Sequence, residues 1–114
     1  MALDTSLLEN EIVDDLTKEL QDEETFNPAI LKVKVKLAVK EVISKRNYKA
    51  TSWSEARVLD DLSNYYATIS NIARYDYNQL GAEGESAHSE NGVSRTYVNR
   101  DDLFKGVHAF VGII

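Results

Sequence analysis

Residues 28–45, PAILKVKVKLAVKEVISK, decide the fold, because they admit two readings that lead to different architectures. Leu31, Val33, Val35 and Leu37 alternate with Lys32, Lys34 and Lys36 as they would along a half-buried strand. Against this, Leu31, Val35, Ala38 and Val42 fall at i, i+4, i+7 and i+11, and the apolar pattern runs without a breaker to Ile43. Asn27 followed by Pro28 supplies a helix start, since proline at the first helical position loses an N–H that has no partner there anyway. We read the stretch as a helix over about 28–45. With Ile30, Val33 and Leu37 on its other side, this helix is apolar around much of its circumference, which places it centrally in the fold.

Upstream, Ser6-Leu7-Leu8-Glu9 has the form of a capping box, and Leu8, Ile12, Leu16 and Leu20 follow at four-residue steps. A first helix is expected over about 7–21, joined to the second by Asp22-Glu23-Glu24 and Thr25. Downstream, Ser52 to Glu55 gives a second capping box. Leu59, Leu62, Tyr66, Ile69, Ala73 and Leu80 then keep a three-four spacing that only Asp76 breaks. That pattern predicts one long helix over about 53–80, roughly 40 Å at 1.5 Å per residue and too long for so small a body to cover, closed by Gly81.

The polar run GAEGESAHSENGVSRTY from Gly81 to Tyr97 cannot bury a core of its own. Asn91-Gly92 makes a two-residue hairpin turn plausible there. After a short helical turn from Arg100 to Lys105 comes an apolar end, Val107 to Ile114. The expected architecture is a single all-α domain over 1–114. It is a small helical bundle with one long helix, a polar loop (81–99) or short β-hairpin near Ala82–Val98, and a short helix and extended tail over 100–114.

The chain of 114 residues carries a formal net charge of −6 with a pI near 4.8, which argues against a surface for duplex phosphates. It has no cysteine, so disulfides and thiolate metal sites are excluded. The N-terminus carries acids where a signal peptide needs a basic lead, and no window approaches the ~20 apolar residues of a membrane span, so no membrane partner is expected.

Candidate chemistry is thin. Acidic doublets stand at Asp14-Asp15, Glu23-Glu24, Asp60-Asp61 and Asp101-Asp102, but neighbours on a helix point about 100° apart and form no catalytic pair alone. His88 and His108 have no ligand neighbours at metal spacing. Ser86, His88 and Ser89 invite a nucleophile reading but lack the strained strand-to-helix elbow that holds such a serine. The glycines of Gly81–Gly84 lack the Lys and Ser/Thr of a phosphate loop. Neither enzyme activity nor a cofactor nor a metal is expected. Lys32, Lys34, Lys36, Lys40, Lys45, Arg46 and Lys49 gather positive charge near Tyr48 and Trp53. They could grip a single strand, but a helix in an acidic protein more simply pairs such lysines with neighbouring carboxylates or presents them to an acidic subunit.

The order of parts, with YNQLGAEG closing a tyrosine-rich helix, the loop ESAHSENGVSRTY, and Arg100-Asp101-Asp102-Leu103-Phe104 beyond it, resembles the head-tail connector (adaptor) proteins of tailed bacteriophages and prophages. The likeness covers most of the chain in layout, and the loop with its flanks in residue strings. It implies a non-enzymatic virion protein, made in the bacterial host cytoplasm. Such a subunit assembles as a ring of about twelve beneath the portal protein and above a stopper or tail-completion protein, and DNA passes through without sequence-specific binding. The resemblance implies ring or lumen contacts in the polar loop from Gly84 to Tyr97, for which Glu85, His88, Asn91, Arg95 and Tyr97 are the candidates, and a portal contact through the C-terminal part. From composition, Tyr65, Tyr75 and Tyr77 suit an oligomer interface. Phe110, Val111, Ile113 and Ile114 suit a docking tail rather than core. The alternative is a soluble bacterial helical adaptor that binds one protein partner through that apolar tail.

Overall fold

The computed structural model describes residues 3–82 and 100–111. Four helices run in order, α1 (Ser6–Leu20), α2 (Pro28–Arg46), α3 (Glu55–Ser63) and α4 (Tyr66–Ala82), with 3₁₀ turns at Tyr48–Ala50 and Arg100–Phe104. No strand occurs among the described residues, so the alternation between Leu31 and Leu37 is helical and the chain is all-α there. The expected hairpin or loop falls on residues 83–99, outside the described residues.

The start of α2 follows from its first two residues. The Asn27 side-chain oxygen accepts from the backbone N–H groups of Ala29 and Ile30 at 3.1 and 3.2 Å, and Pro28 opens the helix. At the other end Asn47 adopts φ 56°, the left-handed conformation, and closes the helix in the manner usually left to glycine. Between them Leu31, Val35, Ala38, Val39 and Val42 are buried. They meet Ile12 and Leu16 of α1 and Ile69, Ile72 and Ala73 of α4 in one cluster, so α2 is central as expected. Each large aliphatic buried in this way contributes about 1.5–3 kcal/mol.

Val33 and Leu37 depart from the expectation of all-round burial, since they remain 53 % and 47 % exposed. The two neighbouring helices cover α2 on the stripe through Leu31, Val35 and Val42, and nothing among the described residues covers the other side.

The long third helix is two helices. Asn64 N–H turns back to the carbonyl of Asp61, Tyr65 N–H to that of Leu62, and the Ser63 hydroxyl donates to the Asp60 carbonyl at 2.6 Å. Ser63 and Asn64 prefer such local bonds to helix interior, which breaks the run without a glycine or proline. Gly81 does not close α4, which continues through Ala82. Neither expected capping box forms. Thr5 is the N-cap of α1 without a side-chain cap bond, its hydroxyl bonding the Glu9 carboxylate instead, while Ser54 rather than Ser52 caps α3 and accepts from the Arg57 N–H at 3.2 Å.

Ser70 is buried in α4 with its hydroxyl unpartnered among the described residues. Replacing Ser70 by Ala is therefore expected to leave the urea midpoint unchanged or raise it, because an unmatched buried polar atom is removed. Leu31→Ala, by contrast, should lower stability by about 2–5 kcal/mol through the cavity it opens. Equilibrium denaturation of the two variants beside the parent checks both.

Candidate functional site

Arg46, the last residue of α2, is only 8 % exposed, and three of its donor atoms are directed to partners. Nε and Nη2 each lie 3.0 Å from a carboxylate oxygen of Asp61, the bidentate geometry a guanidinium favours. Nη1 donates to the His108 carbonyl at 2.7 Å. The Tyr48 hydroxyl donates to Asp61 at 2.7 Å, and the Phe110 ring stacks on the guanidinium with its centroid 4.0 Å from the central carbon.

Burial alone would favour the neutral form of Arg46, but the hydrogen bonds to Tyr48 and Asp61 outweigh it and hold the guanidinium above its ordinary pKa. Burial, reinforced by the Asp61 carboxylate, pushes the Tyr48 phenol up as well.

The expectation that the apolar end is a free docking element is corrected by these contacts as far as Phe110. Its N–H donates to the Arg46 carbonyl at 2.8 Å, and Asn47 Nδ2 donates to the Phe110 carbonyl at 3.1 Å. The Trp53 and Phe110 rings meet nearly edge-on at 4.8 Å. Val107 packs against the core and Phe104 is buried. The α2 end offers carbonyls, a stacked cation and two aromatic rings together, and Val107 to Phe110 lies along them. Val111 is 83 % exposed, and Ile113 and Ile114 lie outside the described residues.

A second cation re-anchors the chain after the polar segment. Arg100 Nε and Nη2 donate to the two oxygens of Asp76 at 2.8 and 2.7 Å, Nη1 donates to Glu41 Oε2 at 3.0 Å, and Nη2 also bonds Glu41 Oε1. These bonds to Asp76 and Glu41 raise the Arg100 pKa. Asp76, the one acid that interrupts the apolar spacing, is explained by this pair. Arg100 therefore sits beside the middle of α4.

The outward side of α2 is a third feature, and one that sequence reasoning missed. Val33, Lys36, Leu37 and Lys40 share one face at helical spacing. Lys32, Lys34, Lys36, Lys40 and Lys49 make no ion pair among the described residues, which removes the first of the two explanations offered for them. Of the lysines in this group, only Lys45 has a partner among the described residues, the Phe104 ring at 4.7 Å. The signal was present in the Lys-Val-Lys alternation, where the apolar residues between the lysines share the exposed side.

Of the interface candidates, Tyr77 is corrected: it is 8 % exposed, its hydroxyl accepts from the Asn27 N–H at 2.9 Å, and its ring meets Phe26. Tyr65 is half-buried at the α3–α4 break, its ring 5.1 Å from the Arg46 guanidinium. Tyr75 is half-buried on α4. Glu85, His88, Asn91, Arg95 and Tyr97 lie outside the described residues, as do Ser86 and Ser89. Among the described residues no three His, Asp or Glu side chains converge as metal ligands, and no helix is long and apolar enough to cross a membrane. The side-chain chemistry the fold brings together among the described residues is ion pairing and aromatic stacking within the subunit.

Truncation after Lys105 is expected to lower the thermal midpoint of the subunit clearly, and Phe110→Ala alone to destabilise it by about 1–3 kcal/mol. Because folding raises the Tyr48 pKa above its ordinary value of 10.0, its contribution to stability is complete below pH 10 and is lost as pH rises beyond. Ultraviolet titration should show a late tyrosine ionisation, and Tyr48→Phe should abolish that step. Comparison with known proteins adds no relative to this geometry: no family model, no curated protein and no solved structure matches the chain.

Proposed function

We propose that this chain is a structural, non-enzymatic subunit of a head-tail connector in a tailed phage or prophage particle. It assembles as a ring between the portal and the stopper or tail-completion component and lets DNA pass. The single observation that carries the reading is the Arg100 anchor. By tying Arg100 to Asp76 and Glu41, it fixes the residue that follows the polar segment 83–99 against a packed α2–α4 pair. That segment holds the residue strings on which the resemblance rests. A packed body with an exposed, lysine-rich helix face suits an assembly part.

The adaptor alternative, in which the apolar tail is the docking element, loses support because Phe110 is engaged by Arg46 and Trp53 of its own subunit. The net charge of −6 supports the connector physically, since a channel that repels phosphates lets a duplex slide.

Inactivating the gene in the host that carries it is expected to yield DNA-filled heads without attached tails, seen by electron microscopy after induction. Complementation by the intact chain should restore tails, and complementation by a chain lacking residues 84–92 should not. Normal tailed, infectious particles formed in the absence of the chain would sink the proposal.

A further inference from the structure

The charges of this chain are segregated along its length. Nine carboxylates and one lysine lie between Asp4 and Glu24, whereas seven cations and one carboxylate lie between Lys32 and Lys49. Intramolecular pairing does not consume this separation, although α1 packs directly on α2. Glu9 bonds Thr5, Asp15 bonds the Tyr66 hydroxyl, and Glu19 pairs with Arg74, while Lys36 and Lys40 of α2 and Glu11 and Asp14 of α1 have no ion-pair partner among the described residues. Each set is accompanied by an exposed apolar side chain. Leu37 and Val33 stand among the lysines at 47 % and 53 % exposure, and Leu7, one turn before Glu11, is 88 % exposed.

The two sets lie on different flanks of α1. Val33 and Lys36 line a groove with Val13 on the α2 side, and Leu7 and Glu11 line a second groove with Leu59 on the α3 side. A cationic, apolar strip and an anionic, apolar strip on different flanks of one molecule cannot meet within that molecule. They can meet between copies.

We propose that the α2 strip (Val33, Lys36, Leu37, Lys40) docks the α1 strip (Leu7, Glu11, Asp14) of a second copy of this chain. Because two different patches meet, the contact is heterologous, and its repetition closes a ring when the rotation allows. The inference deepens the connector reading and rests on it for the ring, but the pairing of the two strips is a property of this chain alone. Apolar contact of Leu7 with Val33 and Leu37 supplies area, and the charges fix which patch meets which. The joint is weak and sensitive to salt, as surface charge pairs are.

Sedimentation velocity of the full chain at low salt, over a wide concentration range, tests it. The parent is expected to self-associate, and to do so less as sodium chloride is raised. Lys36→Glu with Lys40→Glu should weaken association about tenfold, and Glu11→Lys with Asp14→Lys should weaken it similarly. The second pair is the more telling, because it brings the net charge from −6 to about −2 and so reduces overall repulsion between copies. All four changes in one chain should restore association, with helicity and melting of every variant confirming that the subunit is folded. A parent that stays monomeric throughout, or reversals that leave association unchanged, would overturn the proposed contact. In the latter case a ring built through another surface survives, and the connector reading is judged separately by the tailless heads.

Discussion

A single buried guanidinium organises half of this molecule. Arg46 ends α2, receives Asp61 from α3, underlies Phe110 of the C-terminal strap and lies against Tyr65 at the α3–α4 break. A buried ion pair is not a strong source of stability in itself, since dehydrating the two charges offsets most of their attraction. Its influence lies in intolerance of partial assembly. With Asp61, the His108 carbonyl and Tyr48 all in place the charge is satisfied, and with any one displaced a dehydrated charge or acceptor is left without its partner. Three segments distant in sequence are thereby held to one arrangement.

This dependence explains where the sequence was legible and where it was not. The α2 helix was readable because its evidence is local: an Asn-Pro start, a stripe at Leu31, Val35, Ala38 and Val42, and no breaker between. The Arg46 centre was not, because Asp61 lies 15 residues away and His108 lies 62, and no periodicity marks such pairs. The same applies to the tail. The apolar composition after Gly106 carries no information about whether its own body or a partner covers Phe110; the stacked arginine decides. Asp76 is intermediate, since its misfit in an apolar stripe was visible while its partner, 24 residues on, was not.

The break at Ser63-Asn64 shows a further limit of periodic reading. Leu62, Tyr66 and Ile69 keep helical spacing across it, so the apolar pattern passes through without a flaw. Local polar bonds end the helix there, and the residues beyond resume the same buried face. A surface was misjudged for a related reason. Apolar side chains were assumed to be covered, yet Val33 and Leu37 are exposed among unpaired lysines, a combination more informative for association than burial would have been.

The Arg100 anchor bears on how this protein can change over evolutionary time. The ion pairs of Arg100 with Asp76 and Glu41 fix where the chain resumes against the body after residues 83–99. The entropy of closing a connection grows only with the logarithm of its length, so doubling it costs about 0.6 kcal/mol. In closure entropy alone, a change in the length of the 83–99 connection thus costs little. The length of that connection is therefore freer to vary over evolutionary time than the spacing of Glu41, Asp76 and Arg100, which the anchor fixes.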